Sequence, residues 1–154
     1  MQTADTLAFL LGTWDLTRSI EDHRLGTCGR FEGRATVLDT GSGGSSLVCE
    51  RARYDESGEL RFGTQVTRAS RRLLYERLSD TSVMLHFADG RPFVELNLQS
   101  GEWRSVHHCG DDLYELATTV CSDTVVQEHW RVTGPRKDYV ATTTFTRLGN
   151  AQRS

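Results

Sequence analysis

The stretch Phe9-Leu10-Leu11-Gly12-Thr13-Trp14-Asp15-Leu16 decides the fold. Three apolar residues run into Gly12, and strict alternation begins directly after it. Successive side chains of a strand point to opposite faces, so an inward Trp14 brings Leu16, Arg18 and Ile20 with it. The other face is then Asp15, Thr17, Ser19 and Glu21, all polar, as a solvent-facing side requires. The one charge on the inner face is Arg18. If the strand belongs to a closed sheet, function lives in the enclosed space, and the parity set by Trp14 tells which side chains reach it.

The rest of the chain continues in the same period. No helical repeat is sustained beyond the first dozen residues, whereas period-two runs recur between turn residues. They predict strands at Trp14–Glu21, Gly29–Asp39, Leu47–Tyr54, Glu59–Ala69, Arg72–Leu78, Val83–Ala88, Phe93–Leu98, Glu102–Cys109, Leu113–Cys121, Val125–Val132 and Tyr139–Arg147. Asp55-Glu56-Ser57-Gly58 and Asp89-Gly90 between them read as turns that use Gly for positive φ. Thr40–Ser46 reads as a flexible loop over a barrel mouth. Short links demand antiparallel neighbours, and closing the sheet removes both exposed edges. The expected fold is all-β, an antiparallel up-and-down barrel of about ten strands. A short helical turn precedes it, the domain occupies 1–148, and 149–154 form a flexible tail.

Composition narrows the class. The chain has 154 residues, enough for one domain, with 37% hydrophobic and 25% charged residues. A formal net charge of -3, from 18 basic and 21 acidic residues, argues against a nucleic-acid partner. No apolar run approaches the roughly 18 residues of a membrane span. Met1–Leu11 lacks the basic start and cleavage site of a secretory signal, so the expected compartment is the cytoplasm. Cys28, Cys49, Cys109 and Cys121 are far apart without metal-binding spacing, and are expected to be free thiols, mostly buried.

Gly12-Thr13-Trp14 resembles the Gly-x-Trp motif of the calycin superfamily, which holds the lipocalins, fatty-acid-binding proteins and nitrobindin-like barrels. That resemblance implies that Trp14 closes one end of the barrel and that an Arg late in the last strand, here Arg147, packs on it. The segments Leu10–Arg18, Phe87–Phe93, His107–Tyr114 and Trp130–Tyr139 resemble the bacterial domain-of-unknown-function family 6314 across nearly the whole chain. Its pattern carries a His after the Arg-Pro-Phe-like segment; this chain has Val94 there, so no role of that His is carried over. His107 matches the family's His before Cys.

Parity then nominates an interior. Arg18 is inward, either in an internal ion pair or as an anchor for a ligand's carboxylate or carbonyl. Placing Arg51 and Arg53 outside puts Glu50 inside, as the expected partner of Arg18. Phe31, Gly33, Ala35 and Val37 face in, and the small Gly33 leaves room for a cavity. Glu128, Trp130 and Val132 face in, as do Tyr139, Ala141, Thr143 and Phe145. His107 is the expected proton carrier, since an ordinary His titrates near neutral pH. The competing reading ties it to the backbone near Gly110.

The candidate catalytic set is His107, Arg18, Tyr114 and Glu50, and the candidate ligand contacts are Trp14, Phe31, Gly33, Trp130, Tyr139 and Phe145. No metal and no cofactor are called for. Three functions fit: a cofactor-independent isomerase, cyclase or lyase acting by proton transfer on a small, partly apolar metabolite; a carrier of a hydrophobic ligand; and a haem barrel of nitrobindin type. The last is disfavoured because Tyr139–Arg147 contains no His. A homodimer is compatible with all three.

Overall fold

The computed structural model describes residues 1–41 and 48–149. Ten strands follow one short helix, α1 (Thr6–Leu10): β1 (Gly12–Asp22), β2 (Thr27–Gly41), β3 (Arg51–Phe62), β4 (Gln65–Arg77), β5 (Ser82–Phe87), β6 (Pro92–Asn97), β7 (Glu102–Cys109), β8 (Asp112–Val120), β9 (Val125–Thr133) and β10 (Asp138–Arg147). They form one antiparallel sheet in the order β6-β5-β4-β3-β2-β1-β10-β9-β8-β7, curled into a nearly closed barrel. The chain meanders from neighbour to neighbour, as the short links require, and β1 pairs with both β2 and β10.

The barrel has a sealed end and an open end. At the sealed end α1 lies across the strands, started by Asp5, whose Oδ1 accepts from the Ala8 amide at 3.0 Å. Trp14 is buried beneath it and donates its indole N–H to the Leu10 carbonyl at 2.9 Å. The Arg147 guanidinium lies 4.2 Å over the Trp14 ring and donates to the Leu11 carbonyl at 2.8 Å.

The sheet closes on a seam rather than a ladder. β6 and β7 end the hydrogen-bonded order. The Trp103 indole crosses between them to the Glu95 carbonyl at 2.8 Å. The N-terminal segment reinforces the sealed end of the seam: the Met1 ammonium donates to the Val120 carbonyl and Thr3 N–H to the Gln99 carbonyl.

Three predicted strands are in fact two. Asp55–Gly58 is not a turn but the middle of β3, and Ala69–Arg72 runs unbroken through β4. The reversal occurs at Gly63, whose φ of +60° suits the glycine found there. Gly33 and Gly58 face each other across β2 and β3. A Cβ on Gly33 would sit on the Ser57 carbonyl, and one on Gly58 on the Glu32 carbonyl. The pair lets two long strands coil tightly around the barrel. Gly33 therefore bends the wall and lines neither interior cavity, contrary to the expectation that it makes room for a ligand.

All four cysteines are free, but only Cys49 is buried; Cys28, Cys109 and Cys121 are exposed at strand ends and turns. The expectation for Thr40–Ser46 concerns residues outside the described ones, except for Thr40 and Gly41, which end β2. Most of the expected tail likewise lies outside them. Among the described residues, no helix is long and apolar enough to cross a membrane.

Candidate functional site

The parity set by Trp14 holds through β1, β9 and β10 and builds the interior from them. Trp14 and Leu16 are buried, Arg18 follows on the same face, and across the barrel come Val126, Glu128, Trp130 and Val132. Two spaces result. A small, largely apolar cavity of about 50 Å³ lies towards the closed end of the barrel, against Trp14 and Phe145. An open one of about 380 Å³ fills the other end, between Arg18, Leu60, Tyr114 and Tyr139. Arg71, Phe93 and Trp130 line both and form the partition. Phe93 and Trp130 stack with centroids 5.2 Å apart and planes 5° from parallel. Phe93 reaches this position because a bulge between β5 and β6 leaves both Phe93 and Val94 buried.

Arg18 points inward, with Glu56 as its partner. Its Nη1 and Nη2 donate to the two Glu56 carboxylate oxygens at 2.9 and 2.8 Å, and its Nε to Thr143 Oγ1 at 2.8 Å. The side chains are 13% and 4% exposed. Tyr54 OH donates to Glu56 Oε1 at 2.5 Å, and Arg71 Nη2 reaches the same oxygen at 3.4 Å. Arg18 also stacks 5.2 Å over Phe31, which puts Phe31 behind the guanidinium rather than against the open space. Burial opposes ionisation of Glu56, but the Arg18 hydrogen bonds, the two guanidinium charges and the Tyr54 hydroxyl hold its carboxyl down at about 2. Burial alone would lower Arg18; the Glu56 contacts outweigh it and raise it. Tyr54 is pushed up, first by burial and then by the Glu56 charge.

Glu50, the expected partner of Arg18, lies exposed just before β3 begins. Its backbone binds Gly41 and Arg77. The parity that assigned it was correct, since Ala52, Tyr54 and Glu56 share its face, but the carboxylate that enters the barrel is three strand repeats further on. Glu56 and Arg71 were missed because both sit where a turn or a break was expected. Continuing the Glu50 parity past Tyr54 finds Glu56.

His107 and Tyr114 are register partners on β7 and β8, with ring centroids 5.9 Å apart. His107 lies edge-on to Phe93 at 5.2 Å and Phe87 at 5.8 Å, an aromatic setting rather than the backbone bond near Gly110 of the competing reading. Tyr114 OH accepts from Lys137 Nζ at 2.8 Å, and Lys137 also pairs with Asp112 at 3.1 Å. These two hydrogen bonds raise the Lys137 ammonium. Of the catalytic set, the structure brings His107 and Tyr114 together on one wall, commits Arg18 to Glu56 and Thr143, and leaves Glu50 outside. Of the ligand set, Tyr139 lines the open space, Trp14 and Phe145 the closed one, and Trp130 both. Glu128 faces the closed space and accepts the Trp130 indole N–H at 2.7 Å. Among the described residues no group of three His, Cys, Asp or Glu side chains is placed to hold a metal ion.

The model of a family of unknown function, DUF6314, matches residues 10–147, from the end of α1 to the end of β10. None of the curated proteins matches the chain in sequence. Among solved structures, an S-type phycobiliprotein lyase, CPES, from Guillardia theta is similar with a TM-score of 0.70 and 12% identity, covering 97% of this chain and 94% of that one. A redesigned β-barrel, mFAP1, bound to DFHBI, gives 0.48 and 12%, with 92% and 97% covered. A protein of unknown function from the DUF3598 family of Nostoc punctiforme gives 0.44 and 13%, with 92% and 49% covered. At 12% identity the likeness to the phycobiliprotein lyase speaks for the fold alone.

Proposed function

This chain belongs to the DUF6314 family, and we propose that it is a small-molecule-binding barrel holding one ligand in the open space above the Phe93–Trp130 partition. The observation that carries this reading is the cavity of about 380 Å³, open at one end, in a barrel that Trp14 and Arg147 seal at the other. Its size falls within the range of about 300–1,000 Å³ usual for ligand sites, and its wall combines aromatic rings with a few polar groups. The test is native mass spectrometry of protein purified from its own host. A bound small molecule is expected on the wild type and absent from Ala141→Trp, which fills the open space from β10. A ligand-free wild type, or equal retention by both, contradicts it.

A second reading keeps the same site and adds proton-transfer chemistry of isomerase, cyclase or lyase type. One observation favours it: the His107 ring, behind the cavity wall, lies 5.9 Å from that of Tyr114, which lines the space. In that reading His107 moves the proton and Tyr114 with its Lys137 partner polarises the substrate. Unchanged turnover of the identified ligand by His107→Ala and Tyr114→Phe would rule it out.

A further inference from the structure

The interior charges are unequally satisfied, and the inequality names a ligand class. Arg18 is saturated, with Nε bound to Thr143 and both terminal nitrogens to Glu56. Glu56 Oε1 already accepts from Arg18 and Tyr54 when Arg71 approaches it at 3.4 Å, and Arg71 otherwise leans on Tyr54, 5.8 Å over its ring, so Arg71 is the less saturated of the two guanidinium groups. Its Nε is buried without a partner. Its side chain is 38% exposed although it points into the barrel, and it lines the open cavity.

The other charges facing this space do not compete. Asp22, at the rim, spends Oδ1 on the Arg24 and Leu25 amides. Glu128 faces Arg71 from the closed side and holds the Trp130 indole. A guanidinium presents five N–H donors in a planar fork that matches a carboxylate, and leaving buried donors unfilled is costly. The wall on the open side is aromatic: Phe93, Trp130, Tyr114 and Tyr139.

Resting on the proposed binding function, we propose that the ligand is a planar, aromatic or conjugated molecule carrying an oxyanion of carboxylate type, and that Arg71 receives this group while Phe93, Trp130 and Tyr139 hold the ring system. Arg71 is the specificity-determining residue; Arg18 and Glu56 hold the wall beside it.

Two fluorescent probes with one aromatic frame test this: anilinonaphthalene sulfonate, an anion, and neutral N-phenylnaphthylamine. The wild type is expected to bind the anion about tenfold more tightly, the gain of one charge-assisted contact. Arg71→Gln abolishes that preference and leaves the neutral probe's affinity in place. Arg71→Lys, which keeps the charge, retains part of it. Arg72→Gln, the next residue, whose side chain faces outward and pairs with Asp55, changes neither affinity. Far-ultraviolet circular dichroism checks the fold of each variant. Equal affinity of the wild type for both probes, equal weakening of both by Arg71→Gln, or loss of the anion preference in Arg72→Gln overturns the inference while the binding function stands. Failure of both probes to bind the wild type overturns the binding function itself.

Discussion

Arg147 and Trp14 are register partners on β10 and β1, and the guanidinium of one lies 4.2 Å over the ring of the other. The contact joins the first strand to the last at the sealed end and ties both to α1, since Arg147 also donates to the Phe9 and Leu11 carbonyls. Arg147→Ala removes the stacking and leaves those carbonyls short of a donor. An expected loss of about 2–3 kcal/mol follows, read from the urea midpoint at unchanged slope. Trp14→Ala, which empties a buried site, costs more, about 3–5 kcal/mol. A cost below that of an ordinary surface change would mean that the seal contributes nothing.

The Glu56 carboxyl makes stability depend on acid pH. Its folded value of about 2 lies below its ordinary value of 4.5, so the unfolded chain binds more protons between the two. Stability from this group is complete above pH 4.5 and is lost as pH falls towards 2, by about 3 kcal/mol in all. Glu56→Gln flattens that acid limb. It also leaves two inward guanidinium groups without their carboxylate, which costs about 3–5 kcal/mol at neutral pH. Urea unfolding from pH 7 to pH 2 on both proteins provides the measurement, and parallel acid limbs would refute the assignment.

Gly33 and Gly58 are expected to resist the smallest substitution. Each faces a backbone carbonyl where its Cβ would lie, and backbone cannot swing aside as a side-chain tip can. Gly33→Ala and Gly58→Ala should each lower stability by about 2 kcal/mol or more, the scale of overpacking a tight site. Ser57→Ala, next to Gly58 on β3 but exposed, serves as the comparison. Thermal melts of the three distinguish a steric crossing from a general intolerance of β3 to change.

The seam between β6 and β7 should be the first part of the wall to open. It has no ladder, and the Trp103 indole bond to Glu95 crosses it. Trp103→Phe keeps the ring and loses the bond, for about 1 kcal/mol. Amide exchange should quicken on β6 and β7 while β1, β2 and β10, each paired on both sides, stay protected. Uniform quickening across all ten strands would contradict a local seam.

The sequence announces most of the scaffold but obscures the middle of the site, for one physical reason. Along β1, β9 and β10 the inner face is largely apolar, so alternation stands out and Trp14, Trp130 and Ala141 fall where parity puts them. Along β3 and β4 the inner face carries Glu56, Gly58 and Arg71. Asp-Glu-Ser-Gly then looks like a turn, and Ser70-Arg71 looks like a break, because two inward charges erase the period. Those charges are tolerated inside because Arg18 on β1 meets Tyr54 and Glu56 on β3 and Arg71 on β4, a relation across three strands that no local window contains. The Arg147–Trp14 contact was legible because a family motif supplied the long-range pairing. Glu50 failed because parity without strand length cannot say which of several like positions lies within the barrel.

The central claim is that the ligand sits in the open space and contacts the partition from above. The chain has three tryptophans, and each reports a different place. The Trp14 indole binds Leu10 at the sealed end, Trp103 binds Glu95 at the seam, and Trp130 binds Glu128 at the partition. A nitrogen–proton correlation spectrum of the labelled protein, taken with and without saturating N-phenylnaphthylamine, resolves the three indole signals. The Trp130 signal is predicted to shift while those of Trp14 and Trp103 stay in place. A shift of Trp14 or Trp103 with Trp130 unmoved, or no shift at all, contradicts the account.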